Sequence, residues 1–141
     1  MTLLAQSAAA QWRSEWDKSI AAAEKEAQVT VYGPPGTTYQ NAIGAFQEAF
    51  PKIKLVYVSG SGTNNSQRLV TERRAGKLLA DTFIGGSGSL IEVLFDGNLL
   101  DPMPPLLVLP EVKDPSAWLG KTHTYADAKG QYVFMMQGNV N

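Results

Sequence analysis

The chemistry available to this chain lies in small polar residues grouped at three places. Gly33-Pro34-Pro35-Gly36-Thr37 follows the apolar run Val29–Tyr32. Ser59-Gly60-Ser61-Gly62-Thr63 follows Ile53–Val58, and Gly85-Gly86-Ser87-Gly88-Ser89 follows Asp81–Ile84. Each place reads as the end of a strand, a tight loop and the start of a helix. Such a junction leaves backbone N–H groups without intrahelical acceptors and sets the positive end of a helix dipole beside them, which suits an anion.

Other chemistries find less support. No Gly-Lys-Ser/Thr triplet occurs, so a P-loop is missing; Gly76-Lys77 runs into Leu78. The dinucleotide pattern G-x-G-x-x-G fails twice, at Asn65 after Gly60-Ser61-Gly62 and at Ile91 after Gly86-Ser87-Gly88. A nucleophile elbow needs glycine where Ser89 stands. The single histidine, His123, is far along the chain from the loops and reads as a partly exposed polar residue. No His, Asp or Glu pair has metal-site spacing, and without cysteine there is neither a disulfide nor a thiolate site.

The elements that must carry the loops follow from periodicity. Residues 8 to 27 predict a helix with Trp12, Trp16, Ile20 and Ala23 on one stripe. A strand over 29–32 leads to a helix capped by Thr37 or Thr38 and stopped by Pro51. The nearly all-apolar run 53–58 predicts a strand buried on both faces. A helix over about 64–75 ends at Gly76. Leu78 and Leu79 are expected to pack beneath a strand over 81–84, and a last helix holding Leu90, Ile91 and Leu94 stops at Gly97. This β-α-β-α-β-α order with short connections predicts an α/β fold with a parallel sheet, helices on both faces and all three loops at the carboxyl edge. Leu100 to Pro115, with five prolines, is expected to be extended or turned apart from a short helix before Leu109. Pro115–Trp118 reads as one helical turn, and residues 125–131 as a turn into a final strand over 132–137.

Composition bounds the rest. The 141 residues are 44% hydrophobic and 18% charged, which fits one globular domain with a core. A net charge of -1 gives no case for nucleic acid. Arg68, Arg73, Arg74 and Lys77 cluster, but Glu72 and Asp81 interrupt them, so a solvated helix face is the reading. No apolar run is long enough for a membrane span, and residues 1–10 lack the basic region of an intact export signal.

Several stretches together resemble a known family. They are Trp16 through the Ala-Glu-Lys-Glu-Ala run to Val29-Thr-Val-Tyr32, Phe46-Gln-Glu-Ala-Phe-Pro51, Val58-Ser-Gly-Ser-Gly62, Glu72-Arg-Arg-Ala-Gly-Lys77, Ala80-Asp81, Gly85-Gly-Ser-Gly-Ser89, Leu99-Leu-Asp-Pro102 and Tyr125-Ala-Asp127. Taken together, over nearly the whole chain, they are similar to ABC-transporter periplasmic solute-binding proteins of the type II topology, in the iron(III)-type subgroup. The resemblance implies a three-layer α/β/α lobe with a mixed, mainly parallel sheet. It also implies closure on ligand against a second lobe, delivery to a membrane permease, and a periplasmic or extracellular location. It covers the N-terminal lobe alone, with residues 1–28 as a helix packed on the lobe and 29–141 as the solute-binding lobe ending at the expected crossover. An exposed sheet edge there favours a homodimer.

Iron binders of this family typically take tyrosine ligands from the second lobe, and the loop 33–36 offers neither histidine nor acid. The loops offer neutral hydroxyls and N–H donors. The expected ligand is therefore a small anionic solute, such as a phosphorylated sugar or another organic anion, with no cofactor and no catalytic residue. Ser59, Ser61, Thr63, Ser87 and Ser89 would donate hydroxyl hydrogen bonds. Gly60, Gly62, Gly86 and Gly88 would let backbone N–H groups approach, and Gly36 and Thr37 would contribute from the first loop. The alternatives are a ferric-ion-binding member of the same family and a nucleotide-fold enzyme that uses the loops for phosphate. An effector domain of a transcription regulator is a weaker third, since residues 1–28 offer only one helix.

Overall fold

The computed structural model describes residues 2–95 and 97–136. It divides into two compact units, residues 23–100 and residues 1–22 with 101–141.

The first unit is a small α/β assembly. Strand β1 (Gln28–Gly33) runs parallel to β2 (Lys54–Ser59) and to the short β3 (Thr82–Phe83), in the order β2-β1-β3. Helix α2 (Thr37–Ala49) joins β1 to β2 and packs on β2; α3 (Gly62–Arg74) joins β2 to β3 and packs on β1. After β3 the chain enters α4 (Ser87–Ser89), which continues as a π-helix over Leu90–Phe95. Register aligns the strand ends, because Gly33 pairs with Ser59 and Tyr32 with Phe83. Parallel pairing therefore carries all three strand-to-helix turns to one edge of the sheet. The core of the unit is Val31, Tyr32, Ile53 and Leu94. Asp81 ties the other end of β1: its N–H donates to the Thr30 carbonyl, and its Oδ2 accepts from the Thr30 N–H at 2.7 Å.

Several elements differ from the sequence expectation. Helix α1 spans Thr2–Glu26, with Trp12, Trp16 and Ile20 half-buried, and leaves through Ala27 at φ 59. Helix α2 is capped by Gly36 at φ 123, and Thr37 is already its first helical residue. Threonine rarely adopts that left-handed backbone, so the cap falls to glycine. Helix α3 starts two residues earlier than expected, because the Ser61 Oγ accepts the Asn64 N–H at 3.2 Å and caps it. Strand β2 is half-buried rather than buried on both faces, since it pairs with β1 on one side only. Leu78 and Leu79 are 69% and 48% exposed instead of lying beneath β3. The chain turns at Gly76, φ 72, where the Lys77 N–H closes on the Glu72 carbonyl, and this sends the two leucines outward.

In the second unit the prolines at 104 and 115 act as expected, and Pro110 starts a helix where an extended or turned chain is expected. They open short helical turns at Pro104–Leu106, α5 (Pro110–Lys113) and Pro115–Ala117. The strand expected over 132–137 is a single antiparallel bridge, Tyr125 to Phe134, and Gln137 lies outside the described residues. The buried Asp127 carboxylate explains why. It accepts the N–H groups of Gln131, Tyr132 and Val133 at 3.1, 2.9 and 2.7 Å, which takes those donors away from a ladder. Burial works to raise the Asp127 pKa, but the backbone donors together outweigh it and hold the group below the ordinary aspartate range. His123 is half-buried. Its ring packs edge-on against Trp118 at 5.8 Å and Phe134 at 5.6 Å, and its Nε2 lies 2.9 Å from the Val112 carbonyl oxygen.

Candidate functional site

The three turns meet through specific contacts. The Gly60 N–H donates to the Gly33 carbonyl at 2.9 Å, which carries the β1–β2 ladder one bond past the strand ends. The second and third turns touch at Gly62: a Cβ there would stand 2.8 Å from the Ser89 Oγ. Ser66 Oγ donates to the Ser89 carbonyl at 3.4 Å. The first turn is steadied by Tyr57, whose hydroxyl donates to the Pro34 carbonyl at 2.7 Å. The Tyr57 ring lies over Gly33, in the space where a Cβ would stand. Burial, and secondarily Tyr39, raise the Tyr57 pKa, so the hydroxyl stays a donor.

The structure thus brings Gly60, Gly62 and Ser89 together around the end of β1. Ser59, Ser61 and Thr63 are exposed on the second turn; Gly86, Ser87 and Gly88 are exposed on the third. Gly36 and Thr37 are exposed beyond Pro34–Pro35, and what joins their turn to the others is Gly33. Ser61 is engaged as a cap acceptor, which leaves its hydroxyl hydrogen for another partner. Residues 33–38, 59–66 and 85–91 contain no charged side chain. The electropositive groups at this edge are therefore backbone N–H groups of the first helical turns, at Thr37 and Thr38, Gly62 and Thr63, and Ser87 and Gly88.

Residues that sequence reasoning did not single out hold this arrangement. Asn65 and Ser66 are 3% and 0% exposed. Asn65 Nδ2 donates to the carbonyls of Gly33 at 3.1 Å and Gly60 at 3.2 Å. Farther along α3, Glu72 accepts the Tyr32 hydroxyl at 2.8 and 2.9 Å on its two oxygens and the Arg68 Nε–H at 2.8 Å. The Arg68 guanidinium also lies over the Tyr32 ring, 5.0 Å from its centroid. Burial first, then the Glu72 carboxylate, raise the Tyr32 pKa. Glu72 therefore serves this buried linkage, and Asp81 serves Thr30, so neither simply breaks up the row of basic residues on α3. The available signal was a tyrosine ending a strand and a carboxylate midway along a helix, forty residues apart, which no local pattern connects.

Among the described residues, no group of three or more His, Cys, Asp or Glu side chains could hold a metal ion, and no helix is long and apolar enough to cross a membrane. No protein-family model matches the chain, and no curated protein or solved structure is similar to it at a significant level.

Proposed function

We propose that residues 23–100 form the ligand-holding part of a solute-binding lobe of an ABC importer, and that the three turns take a small anionic solute such as a phosphorylated sugar or another organic anion. The observation that carries this reading is the joining of the turns, Gly33 to Gly60 and Gly62 to Ser89, at the carboxyl edge of a parallel sheet. Exposed hydroxyls at Ser59, Thr63 and Ser87 and first-turn N–H groups would then serve the same bound oxygens. The absence of carboxylates from the turns favours an anion over ferric ion. The sequence resemblance supplies the finer terms: a type II three-layer lobe, a permease as partner, a periplasmic or extracellular location and a binding rather than a catalytic role. One lobe buries one side of its ligand, so by itself it is expected to bind much more weakly than two lobes closed on the same solute.

Titration of the isotope-labelled chain with inorganic phosphate, sulfate and a hexose phosphate tests this. Amide shifts of residues 36–37, 59–66 and 85–89 should move together and saturate, while an uncharged hexose leaves them in place. Shifts that stay put with all three anions would refute the proposal.

A further inference from the structure

Asn65 and Ser66 are consecutive, polar and almost wholly buried, and between them they touch all three turns. Beyond the last ladder bond, the carbonyl at a strand end has no neighbouring strand to donate to it. The Gly33 oxygen takes the last ladder bond, from the Gly60 N–H, and keeps one lone pair, while the Gly60 oxygen lies past the ladder; without a further donor both would set partial negative charge beside any anion held at this edge. Asn65 covers both. Its Nδ2 has two hydrogens and two carbonyls to receive them, which also fixes which end of the carboxamide is nitrogen. Both donors are spent on the protein, so none remains for a ligand. The carboxamide oxygen stands 2.5 Å from where a Gly60 Cβ would lie, which accounts for a glycine at 60. Ser66 does the corresponding work on the third turn, where its hydroxyl holds the Ser89 carbonyl and Ser89 in turn lies against Gly62.

We infer that Asn65 and Ser66 are the positioning residues of the anion site: Asn65 screens the carbonyls that end β1 and fall just past β2, and Ser66 sets the distance of the third turn. This rests on the anion reading above. Neither residue touches the solute; both act through the turns they hold.

The experiment has a ligand-free arm and a sulfate arm, both on the full chain. In the free protein, N65A should shift the Gly33 and Gly60 carbonyl carbons and the amides of 59–63, and S66A should shift Ser89 and Leu90 while leaving Gly33 in place. With sulfate, N65A should weaken binding roughly tenfold, one hydrogen bond's worth. N65D, which replaces two donors with a carboxylate, should weaken it further at pH 7 and recover towards the N65A value as the new carboxyl protonates in acid. S66A should keep the sulfate response of 59–63 and lose that of 85–89, a selective loss that general destabilisation does not give. Should N65A fail to fold, N65S is scored in the same way.

Unmoved carbonyl shifts in folded N65A overturn the inference. So do shifted carbonyls with sulfate affinity unchanged, which would make the two residues structural only. A parent chain that binds no sulfate while its carbonyl shifts respond to N65A overturns the anion reading and, with it, the positioning role.

Discussion

Replacing Gly33 with alanine should destabilise the residue 23–100 unit by about 2–3 kcal/mol, at the upper end of what overpacking costs. Gly33 is buried at the end of the central strand, directly under Tyr57. An added Cβ would fall on the tyrosine hydroxyl and within 2.7 and 2.8 Å of its Cζ and Cε2, closer than carbon atoms approach. The ring must swing away, and in doing so it gives up the hydrogen bond to the Pro34 carbonyl. The unfavourable packing and the lost bond act on the same turn, so the effect exceeds a simple loss of glycine freedom. Urea denaturation of the parent, G33A, Y57A and the double variant separates the contributions. Removal of the ring should relieve most of the strain, so that G33A costs much less in the Y57A background, with a coupling of about 1–2 kcal/mol. Equal costs in both backgrounds would mean that the ring is not the obstacle.

E72Q should cost about 2 kcal/mol. The Glu72 carboxylate accepts from a fully buried tyrosine hydroxyl and from Arg68, and hydrogen bonds to charged groups carry about 1.5–3 kcal/mol. The Arg68 side chain is 51% exposed, so its share is screened and the total stays at the lower end. A pH signature accompanies the loss. The fold raises the Tyr32 pKa above its ordinary 10.0, first by burial and then through Glu72. The neutral phenol's contribution is therefore full below pH 10 and is lost as pH rises through the raised folded value. In E72Q the part due to Glu72 disappears and burial remains, so the alkaline loss, which starts as the unfolded tyrosine ionises near pH 10 in both chains, should end at lower pH and be smaller in E72Q. Urea melts from about pH 8 to 11.5, with Y32F as the control that removes this titration, read the shift. An E72Q chain as stable as the parent across that range would show that the linkage does not hold α3 to β1.

The parts of the fold legible in the sequence are those with a local cause. Val29–Tyr32 and Ile53–Val58 are β-branched and aromatic runs closed by glycine or serine, and they form β1 and β2 within a residue of the expected bounds. Parallel order then brings the turns to one edge, as the short connections imply. What escaped depends on distant partners or on competition for donors. The run Tyr132–Gln137 reads as a strand by composition, yet Asp127, five residues upstream of Tyr132, takes the N–H groups of the run's first two residues. Leu78 and Leu79 look like core, but the left-handed turn at Gly76 directs them outward. Thr37 looks like the cap of α2, although the backbone there requires Gly36. In the site, the exposed Gly and Ser residues were readable as loop chemistry. Asn65 and Ser66 were not, because small polar residues in a first helical turn look the same whether they face solvent or hold three loops.

Under the proposed function, the joined turns at 33–37, 59–63 and 85–89 offer their amide hydrogens to one anion. The most direct measurement is an anomalous difference map from crystals soaked in selenate. A selenium peak is expected at the carboxyl edge of the sheet, with the selenate oxygens in hydrogen-bond reach of the N–H of Gly62 or Thr63 and of Ser87 or Gly88. Selenate ordered only elsewhere on the molecule, with that edge occupied by water, would contradict the proposed function.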